Sequence, residues 1–233
     1  MPRQPLDLKQ LPRPERQRYA KCAAEGCNGH PRSFSRFCTL HARNYHRTRD
    51  PNGRAVRVGE IKPYVALAEE FLGRNANHPA VVAAEEFLAA NLADTTFPGG
   101  VRQQLQRLRI DGATPHAMLA TFLGVWGLGF YRPHSVTTDA CRAFNCGNRT
   151  LRVSPLPSIT SPNGKRQPVR LPARIAEAYG QYLRVHLGVF AEQFWMHVQN
   201  ELEAPGRAAR AVAEALRETP FSSSQSNTKT HTR

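Results

Sequence analysis

The stretch Cys22-Ala-Ala-Glu-Gly-Cys27, followed after ten residues by Cys38-Thr-Leu-His41, decides how the N-terminal part of this chain folds. Its spacing, Cys-x4-Cys then Cys-x2-His, offers three thiolates and one imidazole. That is a closed four-donor set of the kind that holds a structural Zn2+. Ten intervening residues are enough for a loop to bring the second pair back to the first, and Gly26 supplies a turn just before Cys27. Phe34, Phe37, Leu40 and Tyr45 are the only large apolar side chains here, so bound metal stands in for a core. His30 and His46 flank the set and either could be the fourth ligand; the Cys-x2-His spacing favours His41.

Residues 22–51 resemble a short zinc segment of phage and mobile-element proteins. That segment runs Cys, Gly-Cys, Cys-x2-His, and then an aromatic and basic stretch ending in Gly-Asp-Pro. Cys22, Cys27, Cys38 and His41 fall on its ligands, Tyr45 on its aromatic, and Arg47, Thr48, Asp50 and Pro51 on its closing residues. Arg49 stands where the segment usually has Gly. The resemblance implies association with DNA, often beside an HNH nuclease core. The remaining histidines, from His78 to His231, are dispersed and form no HNH constellation, and no other complete catalytic motif is present.

Outward from this module the chain reads as mainly α. Residues 1–18 are a basic, Pro-rich arm expected to be disordered, 19–51 the zinc module and 52–60 a linker. A helical domain follows over 61–218, and 219–233 is a polar tail expected to be disordered. Apolar spacing predicts helices beginning near Tyr64, Pro79, Val101 and Pro115. Gly127, Gly129 and Pro133 are expected to stop the last of these, before a short helix over 135–145. Four prolines between 150 and 171, with Ser161-Pro162-Asn163-Gly164-Lys165 between extended arms, predict a β-hairpin. Helix, turn, helix and hairpin over 114–171 follow the order of a winged helix; the plainer alternative is a helical domain with a surface hairpin. A long helix over 172–203, stopped by Pro205-Gly206, either packs on the domain or pairs with a second copy to give a homodimer.

Charge comes in blocks. Residues 1–58 carry 13 Lys and Arg against 4 Asp and Glu, 59–100 carry 2 against 6, and 101–184 carry 12 against 3. The whole chain of 233 residues has a formal charge of +14, which favours a polyanionic partner, DNA or RNA. The candidate phosphate contacts are Arg32, Arg36, Arg43, Tyr45, Arg47 and Arg49 around the module, joined by Arg54 and Arg57. In the second basic block they are Arg142, Arg149, Lys165, Arg166 and Arg170. Cys141 and Cys146 repeat the x4 spacing but lack partners, and read as core thiols. No apolar run is long enough for a membrane span and no secretory signal is visible, so the expectation is cytoplasmic. The composite reading is a Zn2+-containing nucleic-acid-binding protein. The alternatives are a zinc-stapled adaptor between proteins and a divergent HNH-type nuclease.

Overall fold

The computed structural model describes residues 21–31, 35–160, 163, 166–168 and 171–218. The arm expected over 1–18 and the tail expected over 219–233 lie outside them. The chain divides after Glu192 into two units. The first holds the metal module and the helical body, with α1 at Thr39–Thr48, α2 at Val58–Arg74, α3 at Pro79–Ala93, α4 at Gly99–Ile110, α5 at Pro115–Tyr131 and α6 at Asp139–Thr150. A 3-10 turn, Pro133–Ser135, separates α5 from α6, and α7, Ala173–Glu218, begins in this unit. The second unit starts at Gln193 and contains the rest of α7. Within it Phe194 and Trp195 meet edge to face at 5.3 Å, and Gln199 donates to Glu203 at 2.7 Å.

The helical body is built around α5. This helix has no acidic or basic residue apart from His116, so it can be enclosed on all sides. Eleven of its residues, from Met118 to Gly129, are buried. The Thr114 side chain caps its first turn by accepting from the Ala117 N–H at 3.1 Å, with Pro115 at the first helical position. Gly127 and Gly129 do not stop it, contrary to the sequence reading. A glycine costs a helix about 1 kcal/mol, and packing an enclosed apolar helix outweighs that. Gly124 is used for close approach: a Cβ there would lie 2.3 Å from the Val65 side chain of α2.

The expected hairpin over 150–171, and the winged helix built on it, must be withdrawn. Among the described residues 69% are helical. Thr150 closes α6, and Leu151, expected in the first arm, is buried at the end of that helix. Arg107 holds this corner by donating to the carbonyls of Leu151 at 2.6 Å and Pro155 at 3.1 Å. Extended pairing among the described residues is limited to three-residue segments, Ser158–Thr160 beside Arg166–Pro168. Such a contact is too short to form a wing or to stand alone. The prolines that exclude helix here also remove ladder donors. The helix expected to enter a DNA groove, α6, is instead a core element. Cys141, Ala143 to Asn148 and Thr150 are all buried. Pro205-Gly206 likewise does not end α7, which continues to Glu218.

Packing is very close between α6 and the first turns of α7. A Cβ on Gly147 would lie 1.9 Å from the Ala176 carbonyl oxygen, and one on Gly180 would lie 1.7 Å from that of Ala143. Backbone faces backbone, so no side chain can rotate away. Gly147→Ala should therefore lower stability by at least the ~1–3 kcal/mol typical of overpacking. Gly73→Ala, where a Cβ meets nothing within 4 Å, should be neutral or stabilising. Urea denaturation of both variants checks this, and equal stability of the two would contradict the packing described.

Candidate metal centre and adjoining basic cleft

Cys22, Cys27, Cys38 and His41 come together, their ligand atoms all within 4.8 Å of one another. Local backbone explains how. Gly26 adopts φ +71, and the Cys27 N–H closes a turn on the Ala24 carbonyl at 3.1 Å. Cys38 is the N-cap of α1, which places His41 in the first turn of the helix, beside it. Among the described residues the module's apolar packing is a small cluster of Cys22, Ala24 and Phe37, with Ala42 and Tyr45 against it.

The distances fit one tetrahedral ion. Metal–sulfur bonds of about 2.3 Å and metal–nitrogen bonds of about 2.0–2.1 Å imply S···S near ~3.8 Å and S···N near ~3.5 Å. Cys27 Sγ and Cys38 Sγ are 3.9 Å apart, and His41 Nδ1 lies 3.3 Å from Cys22 Sγ and 3.4 Å from Cys38 Sγ. Nδ1 is thus the nitrogen turned towards the sulfurs. Backbone donors complete the surroundings. The Cys38 N–H points at Cys22 Sγ at 3.2 Å and the Gly29 N–H at Cys27 Sγ at 3.3 Å. Burial pushes the Cys22 thiol up, but the Cys38 and Ala24 N–H groups and His41 outweigh it and bring it down to about 6. At Cys27 the Gly29 N–H favours the thiolate, while burial and the neighbouring sulfurs prevail and raise the thiol. Four residues are positioned to bind one metal ion, and His41 rather than His30 or His46 belongs to the set.

Cys141 and Cys146 join no such cluster among the described residues. Burial pushes Cys146 up to about 12 and also raises Cys141, so both remain neutral thiols inside the body.

The basic residues separate by environment. Arg43 and Arg47 are exposed on α1 and line a cleft of about 700 Å³. α1 contributes Leu40, His41 and Asn44 besides these arginines, and the following segment contributes Asn52, Arg54, Ala55, Arg57 and Glu60. Both Arg54 guanidinium nitrogens bond the Glu60 carboxylate, which is thereby pulled down to about 2. Arg36 lies over the Phe37 and Tyr45 rings, 4.9 and 5.8 Å from their centroids. Tyr45 itself packs on Phe37 at 5.2 Å, inside the mini-core. Arg49 faces Glu177 at 3.5 Å. Arg142 is half-buried over Trp126 at 4.8 Å, and half-buried Arg149 donates to the Val56 carbonyl. Arg32, Lys165 and Arg170 lie outside the described residues, and Arg166 is described only as backbone in the short extended pair. Asn44 and Asn52 escaped the sequence reading. The spacing of Leu40, Asn44 and Arg47, which share one helical face, was the signal for the first of them.

No family model matches the chain, and no curated protein or solved structure is detectably similar to it.

The full chain should carry one metal ion, and the Cys22→Ser/Cys38→Ser double variant should carry none. Elemental analysis after exhaustive dialysis measures both. Metal retained by the variant at the wild-type level would show that the ion binds elsewhere.

Proposed function

We propose that the ion is Zn2+ and that the chain binds nucleic acid through the basic surface of this module. The donor set supports zinc: three sulfurs and one imidazole form a closed structural site with no open position for substrate. The observation that carries the nucleic-acid reading is that the helix anchored by His41 presents Arg43 and Arg47 to one cleft, with Arg57 on the same cleft. Guanidinium groups pair with phosphate oxygens in a two-point geometry, and several held on one metal-braced element form a fixed phosphate surface. The net charge of +14 gives long-range attraction towards the same kind of partner. The resemblance of residues 22–51 to zinc segments of phage and mobile-element proteins agrees with it, and is the sole basis for assigning such an origin.

Phosphate contacts release counterions, so they are counted by salt dependence. Arg43→Ala/Arg47→Ala should weaken binding with zinc retained. It should also flatten the slope of log affinity against log salt by about 0.9 per lost contact on duplex DNA, or about 0.7 on a single strand. Arg49→Gly should change the slope less, since Arg49 lies beside Glu177 and not in the cleft. Fluorescence anisotropy across a salt series, with duplex DNA, single-stranded DNA and RNA, reads both. Unchanged affinity and slope in the double variant would favour the adaptor between proteins instead.

A further inference from the structure

We propose that the cleft between α1 and residues 52–60 is a pocket for one unpaired nucleotide, so that the chain prefers single-stranded nucleic acid to duplex. This rests on the nucleic-acid reading above and specifies its ligand. Three features of the cleft carry it. The first is shape: an open groove of about 700 Å³ has room for a base with its sugar phosphate to lie along it. A duplex keeps its bases stacked inside and presents such a groove with backbone alone.

The second is mixed chemistry. A surface for phosphate alone would be lined by cations. Here Arg43, Arg47 and Arg57 share the lining with two amides, Asn44 and Asn52, and with the Glu60 carboxylate. The Glu60 carboxylate is engaged by both Arg54 guanidinium nitrogens and by the Arg57 N–H at 2.7 Å, so Glu60 and Arg54 offset each other's charge within the lining. Amides both donate and accept, so Asn44 and Asn52 can read base edges in either direction, including the carbonyls and N3–H of thymine. The cleft therefore has groups for a base as well as groups for phosphate.

The third is the apolar element. Leu40 is 51% exposed, and it faces this lining together with Ala55. An exposed leucine beside planar guanidinium groups gives a base a surface to lie against once unstacked. Asn44 is held ready for this role, because its Nδ2 donates to the Pro51 carbonyl at 3.2 Å and so fixes the side chain.

The test uses the full, metal-loaded chain with a fluorescent twelve-residue oligothymidine, a mixed-sequence RNA of equal length that forms no hairpin, and a duplex of equal length. The single strands should bind at least tenfold more tightly than the duplex at equal salt. Asn52→Ala/Arg57→Ala, on the side of the cleft outside α1, should weaken single-strand binding at least tenfold and duplex binding less than threefold. Leu40→Ser, a second and uncharged variant at an exposed position, should do the same. Thymidine monophosphate should compete at concentrations where inorganic phosphate does not. Equal affinity for duplex and single strand, or loss of both alike in the variants, would make the surface a simple phosphate contact and overturn the pocket while leaving nucleic-acid binding intact. A single-strand preference that survives both variants would place the site elsewhere. No binding of any nucleic acid by the wild type would remove the underlying reading as well.

Discussion

Three sulfurs and an imidazole crowded within one small volume are the constraint on which the N-terminal module depends. Thiolates at such separations repel, and the described residues of the module supply only a small apolar cluster to hold them together. A cation among them turns the repulsion into the main cohesive term and couples metal binding to local folding. Its consequences run outward along the chain. Cys38 is the N-cap of α1 and His41 is in its first turn, so fixing these two residues fixes where the helix starts and which way it points. Arg43, Asn44 and Arg47 take their positions from that helix.

The module is also tied to the helical body, through the residues that follow α1. Thr48 is buried and its hydroxyl bridges the Asn44 and Asp50 carbonyls. Buried Asp50 accepts from the Asn52 N–H at 2.8 Å and from the Thr137 hydroxyl. Asn145, fully buried on α6, accepts from the Val56 N–H at 2.7 Å and donates to the Arg54 carbonyl at 2.9 Å. Backbone groups of residues 54–56 thus find their partners on α6, as buried polar groups must. The same bonds hold Arg54 and Arg57 opposite α1, so the cleft has both of its sides set by hydrogen bonds or by metal.

How much of this was legible in the sequence depended on whether a feature was local. The ligand set could be read because chelation imposes spacing. The start of α5 could be read because Thr114-Pro115 is a local cap. Arg49 is a partial case: it sits where the zinc segments that residues 22–51 resemble have glycine, and it does adopt φ 57, a left-handed conformation that favours glycine. What could not be read depended on tertiary packing. Gly127, Gly129 and the Pro205-Gly206 pair look like helix stops, and the surroundings override them. Arg142 and Arg149 count as positive charges in any tally, yet one packs on Trp126 and the other serves the Val56 carbonyl. Burial lowers the basicity of Arg149. The helix–turn–helix order before 150 suggested a recognition helix, and only the Gly147–Gly180 crossing shows α6 to be interior. Asn-Gly at 163–164 suggested a hairpin where the paired segments are three residues long.

The central claim is that Cys22, Cys27, Cys38 and His41 share one zinc ion. X-ray absorption spectroscopy at the zinc edge, on protein purified without added metal, tests it most directly. The account predicts a four-coordinate shell with three sulfurs at about 2.3 Å and one nitrogen at about 2.0–2.1 Å. A shell of oxygen and nitrogen without sulfur, or a preparation whose thiols react freely while no zinc is present, would contradict it.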